Sequence, residues 1–143
     1  VKLRKKGDIS EKKAAKKVGA KIIKGSGCLW YEKGDYETDK IVYQNKFSGT
    51  GKYQLKIEEL LKAEKDAFTK NKDFIFSIEL SGEFFYVFRR YLINEDEENL
   101  LDLYCIVCNK SLNLNEKILS KNLLINDEFI VLNEYDFKNI GLR

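Results

Sequence analysis

Residues 54–70 constrain the fold more than any other stretch of this chain. Ile57, Leu60, Leu61, Ala67 and Phe68 recur at helical spacing, and Lys56, Glu59, Lys62 and Lys70 take the opposite side. That is the pattern of a helix with one face on a core. A run rich in β-branched and aromatic residues, Lys40–Phe47, precedes it, and Asp73–Leu80 follows it. Both read as strands. Strand, helix and strand in that order require a sheet with helices packed on it.

The rest of the chain extends this frame. Residues 9–18 read as a short helix capped by Asp8, with Glu11 three residues on as in a capping box, and Gly19 ends it. Ala20–Lys24 is a brief strand, and Ser48–Lys52 a polar connection. Glu83–Ile93 is a strand joined to the one before it by a tight Ser81-Gly82 turn. Asn94–Asn99 is an acidic loop, Leu100–Cys108 a buried strand, Glu128–Leu132 a late strand and Glu134–Ile140 a short helix. Residues 110–127 are ambiguous in their secondary structure. The expected fold class is α/β, a sandwich with a mixed central sheet flanked by helices. With 143 residues and 43% apolar content, one domain over 1–143 with its own core is expected.

Charge is unevenly spread. Residues 1–24 carry ten Lys/Arg against two acids, a local +8, whereas residues 73–143 carry seven against thirteen, a local −6. A basic first part on an acidic second half suits a face built for a polyanion, and equally a solvated Lys-rich helix. No run is long and apolar enough for a transmembrane helix or the core of a signal peptide, so a cytoplasmic location is expected. Abundant Lys, Asn and Ile with no Pro and no His fit an AT-rich genome such as many phages carry, in which case the location is the host cytoplasm. Of the three cysteines, Cys105 and Cys108 form a C-x-x-C in an apolar run. Without His or a second pair this reads as core thiols, with zinc shared between subunits or redox chemistry as alternatives.

The chemistry-bearing cluster is Lys33-Gly34-Asp35 followed by Gln44-Asn45-Lys46. Alternate residues of a strand share a face, so Gln44 and Lys46 point the same way, and the Gly34 turn can bring Asp35 beside them. A carboxylate and an amide oxygen can hold a divalent cation. A lysine beside them can orient an attacking water and offset charge developing on a phosphate. Read singly, Asp35 is a turn residue, Lys46 an edge-strand lysine and Glu11 a cap. Lys12, Lys13, Lys16, Lys17, Lys21, Lys24 and Lys52 are candidate phosphate contacts as a group. Trp30 and Tyr31 are candidates for base stacking or for the core.

Taken in order, Glu11, then Lys24-Gly25-Ser26-Gly27, then Lys33-Gly34-Asp35, then Gln44-Asn45-Lys46 and an amphipathic helix resemble the PD-(D/E)XK nucleases, and within them the phage and archaeal Holliday junction resolvase group. The resemblance covers about residues 8–80 and leaves 81–143 as added strands and a short helix. It implies a restriction-endonuclease-like sandwich and a Mg²⁺- or Mn²⁺-dependent endodeoxyribonuclease. Asp35 is then the central metal ligand, Gln44 stands where the family usually has Glu or Asp, and the Asn45 backbone carbonyl is a further ligand. Lys46 is the catalytic lysine, Glu11 the acid on the first helix, and Ser26 the loop serine near DNA. Loss of one formal charge at Gln44 weakens the pull on a cation. The partners implied are DNA, branched DNA foremost, and a second copy of the chain, since a symmetric four-way junction needs two matched cuts. Two other readings stand beside this one: a nuclease-fold DNA-binding module that no longer cuts, and a restriction- or repair-type nuclease acting on other DNA.

Overall fold

The computed structural model describes residues 3–23 and 34–142. Helix α1 spans Leu3–Val18. It begins well before the expected cap, because the Lys- and Arg-rich residues ahead of Asp8 are good helix formers. Asp8 and Glu11 therefore lie inside it, and neither caps it. It ends at Gly19 as expected, where a φ of 67° lets the Ala20 N–H reach the Ala15 carbonyl. Strands β1 (Lys21–Ile22), β2 (Tyr36–Glu37) and β3 (Ile41–Ser48) follow as antiparallel neighbours.

The chain then leaves the sheet through strand β4 (Lys52–Lys56) and helix α2 (Ile57–Phe68) and returns as β5 (Asp73–Leu80). β5 runs parallel to β3, in register from Ile41 opposite Asp73 to Ser48 opposite Leu80. Ser81 and Gly82, with φ of 50° and 83°, make the tight turn into β6 (Glu83–Arg89). A short 3₁₀ turn and helix α3 (Glu95–Glu98) lead to β7 (Leu103–Ile106), β8 (Ser111–Asn115), β9 (Asn122–Ile125), β10 (Phe129–Asn133) and helix α4 (Glu134–Asn139).

Among the described residues eight strands form one mixed sheet in the order β1-β2-β3-β5-β6-β10-β9-β7, while β4 and β8 pair as a separate two-stranded ribbon. One face of the sheet carries Val42, Phe74, Phe76, Ile78 and Val87, packed against Leu60, Ala63 and Ala67 of α2 and Leu55 and Leu114 of the ribbon. The other face carries Tyr43, Ile75, Tyr86 and Phe88 under Ala14 and Ala15 of α1 and Phe137 of α4. The result is a mixed α/β molecule with helices on both faces of a large sheet. Arg89 ties α2 to it, with Nε and Nη2 on the Glu64 carboxylate at 2.7 and 2.9 Å and Nη1 on Glu128 at 2.7 Å. Among the described residues no helix is long and apolar enough to cross a membrane.

Four expectations need correction. The helix expected from residue 54 starts at Ile57, since residues 52–56 are extended and pair with β8. Its buried residues are Leu60, Ala63 and Ala67, whereas Leu61 and Phe68 are 47% and 50% exposed. The acidic stretch is a helical turn, because the Asn94 side chain accepts the Glu97 N–H and four acids sit at its positive end. The buried strand expected over 100–108 is the short outer strand β7, so Cys105 is exposed while Cys108 is buried, both as free thiols.

Candidate active site

Gly34 makes the site possible. Its φ is 90°, and a Cβ there would clash with Val42 Cγ1, so only glycine lets the backbone run so close under β3. The Asp35 N–H donates to the Tyr43 carbonyl at 2.9 Å, and the Ile23 N–H donates to the Asp35 carbonyl at 3.0 Å. Asp35 is thereby fixed beside the middle of β3, 9% exposed. Its Oδ2 accepts the Gln44 side-chain amide at 2.9 Å and the Asn45 backbone N–H at 2.7 Å.

A chain of buried polar side chains sets the neighbouring elements. The Tyr36 hydroxyl lies 2.6 Å from Ser77 Oγ, and Ser77 donates to Asn45 Oδ1 at 2.7 Å. Asn45 Nδ2 in turn donates to Ser10 Oγ at 3.0 Å. With its proton given to Asn45, Ser77 is left to accept from Tyr36. Ser10 is fully buried, so this bond fixes the turn of α1 that carries the next residue, Glu11. Burial raises the Glu11 carboxyl from 4.5 to about 7, with the negative charges of Asp35 and Asp8 adding to the effect. Asp35, in the turn before β2, thus meets Gln44 of β3 and lies close enough to Glu11 of α1 for its charge to act there.

Lys46 shares with Gln44 a cleft of about 170 Å³ between β3 and α2, lined also by Glu59, Lys62, Ala63, Asp66 and Phe76. Its Nζ lies 3.6 Å from Glu59 Oε2, and Glu59 accepts the Tyr53 hydroxyl at 3.0 Å. Glu59 looked solvent-facing in sequence. It is half-buried because α2 buries Leu60, Ala63 and Ala67 and not Leu61 and Phe68, which puts Glu59, four residues before Ala63, beside the buried stripe. Tyr53 falls between the polar connection expected over 48–52 and the helix expected from 54, and it lies on β4. Asn45 is recognisable only in three dimensions, where it links α1 to β5.

The basic residues separate into groups. Lys13 bonds Glu79 at 3.0 Å, a carboxylate only 2% exposed, and Lys17 bonds Glu134 at 3.0 Å. These two lysines hold α1 to β5 and α4. Lys12, Lys16 and Lys21 are exposed, and Lys52 is exposed on β4. Lys24, Ser26, Cys28, Trp30 and Tyr31 lie outside the described residues.

Glu11, whose charge Asp35 disfavours, Asp35 itself and the Gln44 amide bonded to it form an oxygen-rich set that a hard divalent cation would suit. Among the described residues no group of three or more Cys, Asp or Glu side chains is set as a metal cage, so such a cation would draw on amide and carbonyl oxygens as well. The Glu11 proton gives a direct readout. Its pKa is higher folded than unfolded, so the stability it adds is full below 4.5 and is lost as pH rises through about 7. In EDTA, the melting temperature of the wild type should fall across that window more steeply than that of Glu11→Gln. Parallel curves would show that folding does not raise the Glu11 carboxyl. Comparison with family models, with curated proteins and with solved structures finds no match for this chain.

Proposed function

We propose that this chain is a metal-dependent endodeoxyribonuclease of the PD-(D/E)XK kind, hydrolysing DNA phosphodiester bonds with branched DNA as the preferred substrate. The observation that carries this reading is the hydrogen bond of 2.9 Å between Asp35 and Gln44, two residues before Lys46 on a strand whose neighbour β5 is reached through α2. The restriction-endonuclease-like arrangement of that sheet is part of the same proposal, as is a two-fold dimer that makes paired cuts.

A Mg²⁺ or Mn²⁺ ion, when bound, would lower the pKa of a water and offset charge on the phosphate. Asp35, Glu11, the Gln44 side-chain oxygen and the Asn45 carbonyl oxygen are the groups that would hold it. The Gln44 amide now turns its nitrogen toward Asp35, and a half-turn of its terminal torsion exchanges nitrogen for oxygen. Lys46, on leaving Glu59, donates its N–H groups to the attacking water or to a non-bridging oxygen and stabilises charge as the bond breaks. Glu59 and Tyr53 keep the ammonium inside the cleft until the phosphate replaces them. Glu11 would complete the site from α1, directly or through a water, and would give up its proton on meeting the cation.

A second reading has a specific observation in its favour. Gln44 satisfies Asp35 without a cation, which suits a DNA-binding module that has lost cutting. Incubation of the chain with four-way junctions, flaps, nicked and plain duplexes, with Mg²⁺ or with EDTA, separates the two. Products only with Mg²⁺, and foremost from branched DNA, are expected. Gln44→Glu should then tighten Mg²⁺ binding in a titration, by restoring a negative charge. Binding with no product under any divalent cation favours the module, and equal metal affinity in Gln44→Glu removes Gln44 from the ligand set.

A further inference from the structure

The outward side chains of the β4–β8 ribbon are only partly used by the fold: Asn115 Oδ1 accepts the Ile118 N–H at 3.0 Å and Gln54 Nε2 donates to Ser111 Oγ at 3.3 Å, which leaves the Gln54 side-chain oxygen and Asn113 to face outward. The ribbon's inward residues, Leu55 and Leu114 with Tyr53 and Leu112, pack on the core. Its outward face is made of three cross-strand pairs: Lys52 with Asn115, Gln54 with Asn113, and Lys56 with Ser111. The face contains no acid and no apolar side chain. Two-stranded surface ribbons are ordinarily dressed with β-branched residues and with charges of both signs, so a row of amides between lysines stands out.

The two ends repeat one arrangement. A shallow cleft at one end is lined by Lys56 and Lys110 and includes Glu58, and one at the other end is lined by Lys52 and Lys117 and includes Glu116. Each end therefore offers two cations against one acid, while Gln54 and Asn113 occupy the centre. Four residue steps along a strand separate Lys52 from Lys56, roughly 14 Å. The DNA major groove is about 12 Å wide, admits a two-stranded ribbon, and is walled by phosphates. Lysines at both ends match the walls, and central amides match the floor, where Gln and Asn pair with the donor and acceptor edge of adenine. Behind the ribbon, Tyr53 reaches Glu59 and hence Lys46. The ribbon is thus joined through Tyr53 to the residues of the cleft.

From these observations, and resting on the reading of DNA as substrate, we infer that the β4–β8 ribbon is a major-groove reader. Gln54 and Asn113 contact base edges, and Lys52 and Lys56 bind the flanking phosphates. The ribbon gives the chain a base preference in the duplex arm beside the cut.

The test uses the full chain in EDTA and a duplex DNA pool randomised at its centre, with selection followed by fluorescence anisotropy. The wild type is expected to enrich a sequence containing adenine. The double variant Gln54→Ala, Asn113→Ala should bind that duplex about 10- to 100-fold more weakly while holding the unselected pool about as well. Lys52→Ala and Lys56→Ala should weaken both equally, each lowering the salt slope of log affinity by about one. All four positions are exposed or at the surface, and circular dichroism confirms folding. Absence of any enriched sequence, an unchanged double variant, or equally tight binding of duplex RNA, whose major groove is too narrow for a ribbon, overturns the inference. Cleavage with an unchanged double variant removes the ribbon alone. A ribbon-dependent preference in a chain that never cuts removes the nuclease reading alone.

Discussion

Asp35→Asn and Lys46→Ala should each lower cleavage by at least ~100-fold, the scale on which loss of one electrostatic group slows a charged transition state. Asparagine keeps the size of Asp35 and can still accept the Asn45 N–H, now 2.7 Å away, so the turn at Gly34 survives. What disappears is the charge that would draw a cation and that helps raise Glu11 to about 7. Lys46→Ala acts inside the cleft. It removes the ammonium 3.6 Å from Glu59 and leaves that acid to Tyr53. Both variants should bind DNA as the wild type does, because the exposed lysines of α1 and of the ribbon are untouched. Single-turnover cleavage beside anisotropy measures both quantities. A near wild-type rate in either variant would mean that the chemistry is done elsewhere.

How far the sequence discloses this site depends on the reach of each contact. Asp35, Gln44 and Lys46 are legible because local rules suffice: a glycine turn, then a strand with a period of two. The hairpin at Ser81-Gly82 is legible for the same reason. The ribbon is not, since its strands are far apart in the chain and β8, Ser111-Leu112-Asn113-Leu114-Asn115, alternates over only five residues with two leucines to announce it. Its absence from view also misplaces the start of α2. Tyr53, Ile57 and Leu60 fit a helical period as well as Tyr53 and Leu55 fit a strand period, and only pairing with residues 111–115 decides between them. Lys13 and Lys17 illustrate another limit, because a lysine's role depends on partners such as Glu79 and Glu134 that no local pattern links to it. The overall charge asymmetry therefore overstated how much of α1 is available to a polyanion.

Phe76→Ala should be the most destabilising single change near the site, at about 3–5 kcal/mol. Phe76 is 1% exposed on β5, opposite Gln44 on one side and Val87 on the other. Its ring floors the cleft that holds Lys46 and meets Tyr53 at 6.4 Å between centroids. Alanine leaves a cavity under β3, α2 and the ribbon together, where three elements would have to move to close it. A domain of this size is stable by roughly 5–15 kcal/mol, so the loss is a large fraction of the total, and the melting temperature should drop by roughly 10 °C. Phe76→Leu refills most of the space and should lose much less. The cleft makes the two effects separable. Phe76 carries no chemistry, so cleavage measured well below the melting temperature should fall far less than in Lys46→Ala, through looser placement of Tyr53 and Glu59. A drop of only a few degrees would mean that the ribbon and α2 do not rest on Phe76. Loss of cleavage equal to that of Lys46→Ala, in protein still folded, would make the ring part of the site itself.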